Sequence, residues 1–235
     1  MVLKNKPMMT PPSLLDPHRW SGLRIGLFGG TFNPPHKGHI HASEIALKYL
    51  GLDAVWWLVS PGNPLKSSVD VPSLEDRVAA CRAISQNPRI VISDIESALK
   101  TTRSFYTIKA LKLRFPHTEF VWCAGLDIAR EFHRWYRWQD LPKEIPFAFI
   151  GRPIKGGGIR QTVLHHHSNF QNVFLRCGGH PKLGKERIYW ILEEPLNPLS
   201  STLLRKQSDD LRYFSHQGTI RTVALNVLNK TERSV

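Results

Sequence analysis

Apolar residues in this chain come in short runs, separated by stretches whose apolar positions recur at helical spacing. Leu23–Phe28 is a strand-sized run that ends in glycines, and Ala54–Ser60, Arg89–Ser93, Glu119–Ala124 and Pro146–Ile150 are others. Within His39–Leu50 the apolar positions Ile45, Ala46, Tyr49 and Leu50 share one helical face, and Gly51 supplies a C-terminal stop. Ser73 with Asp76 behind it marks a helix start that Leu74–Ser85 continues, and Phe105–Phe115 reads as a further helix. Strands alternating with helices of this length predict an α/β fold, a Rossmann-like, doubly wound parallel sheet.

The two ends read differently. Residues 1–22 hold Pro7, Pro11, Pro12 and Pro17 with little periodicity, which predicts a loosely ordered, dispensable extension. A single domain is expected over 23–235. From Arg152 to Lys185 the pattern weakens around Gly156-Gly157-Gly158 and three consecutive histidines, as in an irregular insertion. Order returns at Ile188–Leu192. Ser200-Ser201-Thr202 then opens a helix and Thr219–Leu228 is helical, so a C-terminal helical portion is expected after the sheet.

Composition narrows the class. The chain has 235 residues, 41% of them hydrophobic, enough to bury a core. No apolar run approaches the roughly 18 residues of a membrane span. Lys4 and Lys6 are followed by prolines and Asp16, not by the apolar segment of an export signal. Cys81, Cys123 and Cys177 cannot all pair, none are at CxxC spacing, and the first two lie in apolar segments, as core residues do. A cytoplasmic location follows as the expectation. The net charge of +13 calls for a polyanionic partner, either nucleic acid or a phosphorylated small molecule.

Residues Gly26 to His39 bear on that choice. The strand ends in Gly29-Gly30, then Thr31-Phe32-Asn33-Pro34-Pro35 leads to His36-Lys37-Gly38-His39, where a helix begins. Glycines at a strand end let backbone N–H groups approach phosphates, and the helix N-terminus adds partial positive charge. No GK[ST] follows, so this is not a Walker A loop, and it is not GxGxxG either. Gly38 leaves His36 and His39 free to serve one anion, and two imidazoles can donate hydrogen bonds to the charge developing in phosphoryl transfer. The plainer alternative is that both histidines cap the helix.

This loop resembles the signature of the HxGH nucleotidyltransferase superfamily, and the remaining motifs are similar to those of bacterial nicotinate-nucleotide adenylyltransferases. Asn63-Pro64-Leu65-Lys66 resembles the family's phosphate-side lysine motif, and Tyr106-Thr107 its Ser-Tyr-Thr helix start. Gly125-Leu126-Asp127 with Trp135 looks like its Gly-x-Asp…Trp motif, and Ser200-Ser201-Thr202-Leu203-Leu204-Arg205 like its Ser-Ser-Thr-x-x-Arg motif. The resemblance runs in order from about Leu23 to Arg205. It implies adenylyl transfer from ATP to nicotinate mononucleotide, with Mg²⁺ bridging the ATP phosphates. His36, His39, Lys66 and Arg205 would be catalytic. Gly29, Gly30, Thr31, Phe32, Gly38, Ser201 and Thr202 would bind ATP. The mononucleotide would fall to Tyr106, Thr107, Gly125, Asp127, Trp135 and Tyr136: Asp127 on a ribose, Trp135 stacked on the pyridine, backbone N–H groups around Tyr106-Thr107 and Trp135-Tyr136 on the carboxylate. No protein metal site is implied.

The chain departs from the family pattern in three places. Asn33 stands where aspartate is common, Lys109 where an acid is common, and Leu126 where a small residue is usual. Adenylyltransferases for nicotinamide mononucleotide or phosphopantetheine are the neighbouring alternatives. A nucleic-acid-binding module built on the Arg- and Trp-rich stretch Arg130–Trp138 is the alternative outside enzymes. His165-His166-His167 with Cys177 and His180 invites zinc, but the spacing is not that of a zinc site.

Overall fold

Seven strands form one all-parallel sheet in the order β3-β2-β1-β4-β5-β7-β6. The structure is a computed structural model and describes residues 9–62, 71–151 and 159–192. In chain order these hold β1 (Arg24–Gly30), α1 (Lys37–Tyr49), β2 (Ala54–Val59), α2 (Leu74–Ile84), β3 (Ile90–Ser93), α3 (Ile95–Ala98) and α4 (Ser104–Arg114). There follow β4 (Glu119–Gly125), α5 (Leu126–Glu131), a 3₁₀ turn at Phe132–Arg134, α6 (Leu141–Glu144), β5 (Phe147–Ile150), α7 (Val163–His166), β6 (Gln171–Leu175) and β7 (Arg187–Ile191). The Ser200–Thr202 and Thr219–Leu228 helices, and with them the expected C-terminal helical portion, lie outside the described residues. No helix among the described residues is long and apolar enough to cross a membrane.

Parallel strands covered on both faces lose the polar alternation of half-exposed ones. In β2 all six residues, Ala54-Val55-Trp56-Trp57-Leu58-Val59, are buried. Successive side chains nevertheless go to opposite faces. Leu27, Trp56, Leu58, Trp122, Phe147 and Phe149 pack under α4, α5 and α6, while Val55, Trp57, Val59, Val121 and Cys123 pack under α1 and α2. Burial pushes the thiols of Cys81 and Cys123 up to about 12, so both are inert core residues. Gly51 follows the C-cap of α1 at φ +59°, the left-handed stop that its position predicts.

Two expectations fail here. The stretch expected to be irregular contains α7 and a seventh strand, β6, paired with β7 over Gln171–Leu175. As the sheet's edge strand β6 is only partly buried, with Phe174 50% exposed, so its sequence carries no clean pattern. The N-terminal extension, where it is described, is ordered. Residues 9–20 run beside β3 and line with it a groove of about 430 Å³ among Met9, Pro11, Leu14 and Ile90–Ile92. At one end the N–H groups of Met9 and Thr10 donate to the two oxygens of the buried Asp94 carboxylate, both at 2.8 Å. At the other, Trp20 is buried edge-on against Trp56 at 5.0 Å, with its indole N–H donating to Leu14 O. Proline-rich text hid this because the segment is held by single anchors, not by a periodic face.

The extension is therefore expected to contribute to stability. Trp20→Ala is expected to cost about 3 kcal/mol, as for a large aromatic removed from a core. A chain beginning at Ser21 should lose at least as much, since it also strips Asp94 of its donors. Thermal unfolding of the three proteins checks this, and equal midpoints would refute it.

Candidate active site

Chain order runs outward from β1 to β3, then returns to β4 on the other side of β1. Such a switch point leaves a crevice beyond the C-terminal ends of the two central strands. Gly29 and Gly30 close β1, and Gly125 closes β4, so the expected glycines flank it. A Cβ on Gly29 would stand 2.6 Å from the Trp122 ring, so only glycine lets the loop settle on that indole. Phe32 takes φ 49°, a strained conformation for a bulky residue. Its ring is 2% exposed, stacked on Trp57 at 4.8 Å and 4.9 Å from the His39 ring. Phe32 thus braces a histidine from behind, which leaves its backbone as the part that can serve ATP.

His36 is the N-cap of α1 and His39 the third residue of its first turn. The Gly38 N–H donates to His36 Nδ1 at 3.1 Å, and the His36 N–H donates to His39 Nδ1 at 3.2 Å. This is the reciprocal bonding of a capping box with imidazoles in place of the usual hydroxyl and carboxylate. The plainer alternative is therefore true, yet it does not displace the chemical one. An imidazole nitrogen that accepts a backbone N–H carries no proton, so each neutral ring is fixed as the Nε2–H tautomer. The rings lie 3.8 Å apart and give two parallel-role donors.

Electrostatics keeps them neutral. Burial lowers His36 to about 4. Burial, then the neighbouring His36, lowers His39 to about 3 against the opposing backbone bond from His36. At neutral pH the pair donates hydrogen bonds without carrying charge. The folded values lie below the unfolded value near 6.5, so the stability these rings contribute is complete above pH 6.5. It is lost as pH falls toward 4 and 3. By pH 5 His39 alone should account for about 2 kcal/mol of loss. Melting temperatures from pH 8 to 5 should drop more steeply in the wild type than in His39→Gln, and parallel curves would refute the assignment.

Across the crevice stand the residues expected to take the mononucleotide. Asp127 is exposed in the first turn of α5 beside Gly125. Trp135 is half-buried, edge-on to Trp122 at 5.9 Å and tilted against Phe132 at 5.3 Å. Tyr106 and Tyr136 are exposed and stacked at 5.6 Å, with the Arg103 guanidinium 4.5 Å from the Tyr136 ring and that of Arg137 4.3 Å from Phe105. Thr107 is fully buried, and its hydroxyl donates to Glu96, so its side chain serves the fold. The N–H groups of Tyr106 and Thr107 donate to Arg103 O, and that of Trp135 to Phe132 O. Of the expected carboxylate donors, those of Tyr106, Thr107 and Trp135 are thus engaged within the chain. An α-helix leaves its first N–H groups without intrahelical partners, and in α4, which no side chain caps, these belong to Ser104 and Phe105.

Two buried polar residues went unread in the sequence. Arg77, 3% exposed, donates through Nη1 to Thr31 O at 2.9 Å and Ser60 O at 2.7 Å, and through Nε to Pro72 O at 3.1 Å. It clamps the loop after β1 to the loop after β2. A signal was present: Leu74, Arg77, Val78 and Cys81 have the spacing of a buried helical face, with an arginine in it. Glu96, 5% exposed, carries no comparable signal. Lys66, Ser201, Thr202 and Arg205 lie outside the described residues.

Comparison with known proteins accords with this geometry. The cytidylyltransferase-like family model matches residues 27–207. A relative from Agrobacterium fabrum named "Probable nicotinate-nucleotide adenylyltransferase" is 47% identical over 187 residues, 77% of this chain and 97% of its own. One of the same name from Mesorhizobium japonicum is 38% identical over 194 residues, 82% of this chain and 98% of its own. Among solved structures, Plasmodium falciparum nicotinic acid mononucleotide adenylyltransferase complexed with NaAD superposes with a TM-score of 0.60 at 18% identity, over 86% of this chain and 89% of its own, and shares the fold. On its matched length, its identity to these relatives and its all-parallel sheet, the chain belongs to the cytidylyltransferase-like family and, within it, to the nicotinate-nucleotide adenylyltransferases.

Proposed function

We propose that the chain transfers the adenylyl group of ATP to nicotinate mononucleotide, giving deamido-NAD and pyrophosphate. The observation that carries the reading is the His36–His39 pair, held by backbone bonds as neutral Nε2–H donors beside a glycine turn at the sheet's switch point. The mononucleotide phosphate is an anion at neutral pH and needs no general base. One of its oxygens bonds to the α-phosphorus in line, the bond from that phosphorus to the β-bridging oxygen breaks, and the electron pair leaves with pyrophosphate. The protein positions the reactants and stabilises developing charge. His36 and His39 donate to the triphosphate, and the Gly29–Thr31 backbone forms the floor. Lys66, Ser201, Thr202 and Arg205 are assigned to the phosphates on their motifs alone.

Mg²⁺ enters in this reading with ATP as its substrate complex. We assign the reaction to the cytoplasm on the three unpaired cysteines. Pyrophosphate release from ATP with nicotinate mononucleotide, nicotinamide mononucleotide and phosphopantetheine, each in turn, tests the proposal. Turnover should be fastest with the first. Release only with phosphopantetheine, or none with any acceptor, would overturn it.

A further inference from the structure

Residues 9–20 do more than run beside β3: their bonds reach both ends of α4, the helix whose start is assigned to the mononucleotide. At the C-terminal end the contact is direct. The Arg114 guanidinium donates to Leu15 O through Nη2 at 2.9 Å and Nε at 3.2 Å. Just beyond the helix, the Thr118 hydroxyl donates to Trp20 O at 2.8 Å. At the N-terminal end the contact runs through α3. Asp94 is the N-cap of α3, but its side chain makes no cap bond. Its carboxylate accepts from the N–H groups of Met9 and Thr10 and from the Thr10 hydroxyl, while its own N–H donates back to Thr10 Oγ1 at 3.0 Å. Two residues on, Glu96 Oε1 accepts the hydroxyl of Thr107, in the first turn of α4, at 2.8 Å.

We propose that the N-terminal segment is a positioning element for the mononucleotide side of the site. Through Asp94 and Glu96 it fixes where the first turn of α4, with the uncapped N–H groups of Ser104 and Phe105, stands against the sheet. The inference rests on the two-substrate reading above. Thr10, Asp94, Glu96 and Thr107 are each 5% exposed or less, so water does not replace a bond that breaks. The link between the two acids is short. α3 is a single turn of four residues, closed by the Ser97 N–H on Asp94 O at 2.9 Å, and Ile95 between the acids is packed into the core. A shift of Asp94 therefore carries Glu96 with it. The loops assigned to ATP are held by a different clamp, Arg77 on Thr31 O and Ser60 O.

Point variants of the full chain test this. Thr10→Val removes the hydroxyl from Asp94, and Thr107→Val removes the one from Glu96. Each should raise the KM for nicotinate mononucleotide by about tenfold, as for one buried bond to a carboxyl, and that for ATP by less than about twofold. Thr10→Ser keeps the hydroxyl and should restore the wild-type value. Leu50→Ala, in the core at the far end of α1, is the control for stability alone. It should lower the melting temperature at least as much and leave both KM values unchanged. The double variant decides the route: acting through Glu96 and Thr107, Thr10→Val adds nothing to the KM of Thr107→Val, whereas independent sites multiply their effects. Amide hydrogen exchange, read without substrates, should quicken selectively at Tyr106 and Thr107 in Thr10→Val, and without that selectivity in Leu50→Ala. Multiplied effects in the double variant, or unchanged exchange at those two amides, would overturn the proposal. If Thr10→Val does not fold, Asp94→Asn supplies the same comparisons, its NH₂ set against the N–H groups of the segment. A wild-type protein inactive with nicotinate mononucleotide defeats the functional reading instead, and the exchange result still decides the role of the segment.

Discussion

Replacing His39 by alanine is expected to lower turnover by about two to three powers of ten, the size of effect seen when one transition-state donor is removed. The structure adds a second consequence. His39 accepts the His36 N–H and packs against Phe28, Phe32 and Trp57, so alanine also removes part of the helix cap and opens space behind it. A stability loss of about 1–2 kcal/mol should accompany the kinetic one. Glutamine separates the two. At the third helical position its carbonyl can take the His36 N–H, as in an ordinary capping box, and its NH₂ remains a donor. His39→Gln should regain most of the melting temperature and part of the rate. Turnover near the wild-type level in the stable fraction of His39→Ala would remove the residue from the chemistry.

Nicotinate mononucleotide should be preferred over nicotinamide mononucleotide by about 30- to 1000-fold in kcat/KM, or about 2–4 kcal/mol. Donors beyond those the resemblance implies are at hand, and the sign is the same. The uncapped start of α4 offers the N–H groups of Ser104 and Phe105, and the guanidiniums of Arg103 and Arg137 lie over the neighbouring rings of Tyr136 and Phe105. A carboxylate accepts from all of these, whereas an amide sets its own NH₂ against them and loses the charge. Trp135→Ala should raise the mononucleotide KM strongly and that of ATP little, because the stacking that the resemblance implies would act on the pyridine ring alone. The half-burial of Trp135 against Trp122 and Phe132 predicts some loss of stability as well. Equal use of the two mononucleotides would defeat the assignment and leave adenylyl transfer standing.

What could be read in advance follows from how each element is buried. β2 was legible because both its faces are covered, and α1 because one face is. β6 was not, because an edge strand mixes exposed and covered positions without a period. Trp20 was hidden among prolines, since one anchoring side chain produces no pattern. In the site, the glycines and the His-x-Gly-His spacing located the crevice, but the commitments of its backbone did not show. That the Tyr106 and Thr107 N–H groups serve Arg103 O, and that Phe32 faces inward, depends on helix phase and loop conformation. The spacing of His36 and His39 is that of an N-cap and its third helical residue, and it could have been read as a cap and a catalytic pair together.

The segment from Met9 to Trp20 has a consequence for the company the protein keeps. β3 is an outermost strand, and a parallel sheet normally sinks such a strand or leaves a ladder on which a stranger's backbone can grow. Here the chain's own beginning lies alongside it, fastened through Asp94 and Trp56 and carrying Pro11 and Pro12, which have no N–H to offer a ladder. It occupies the margin without becoming an eighth strand. The same residues that steady the fold thereby shield that margin, and a chain trimmed of them is expected to associate edge to edge more readily.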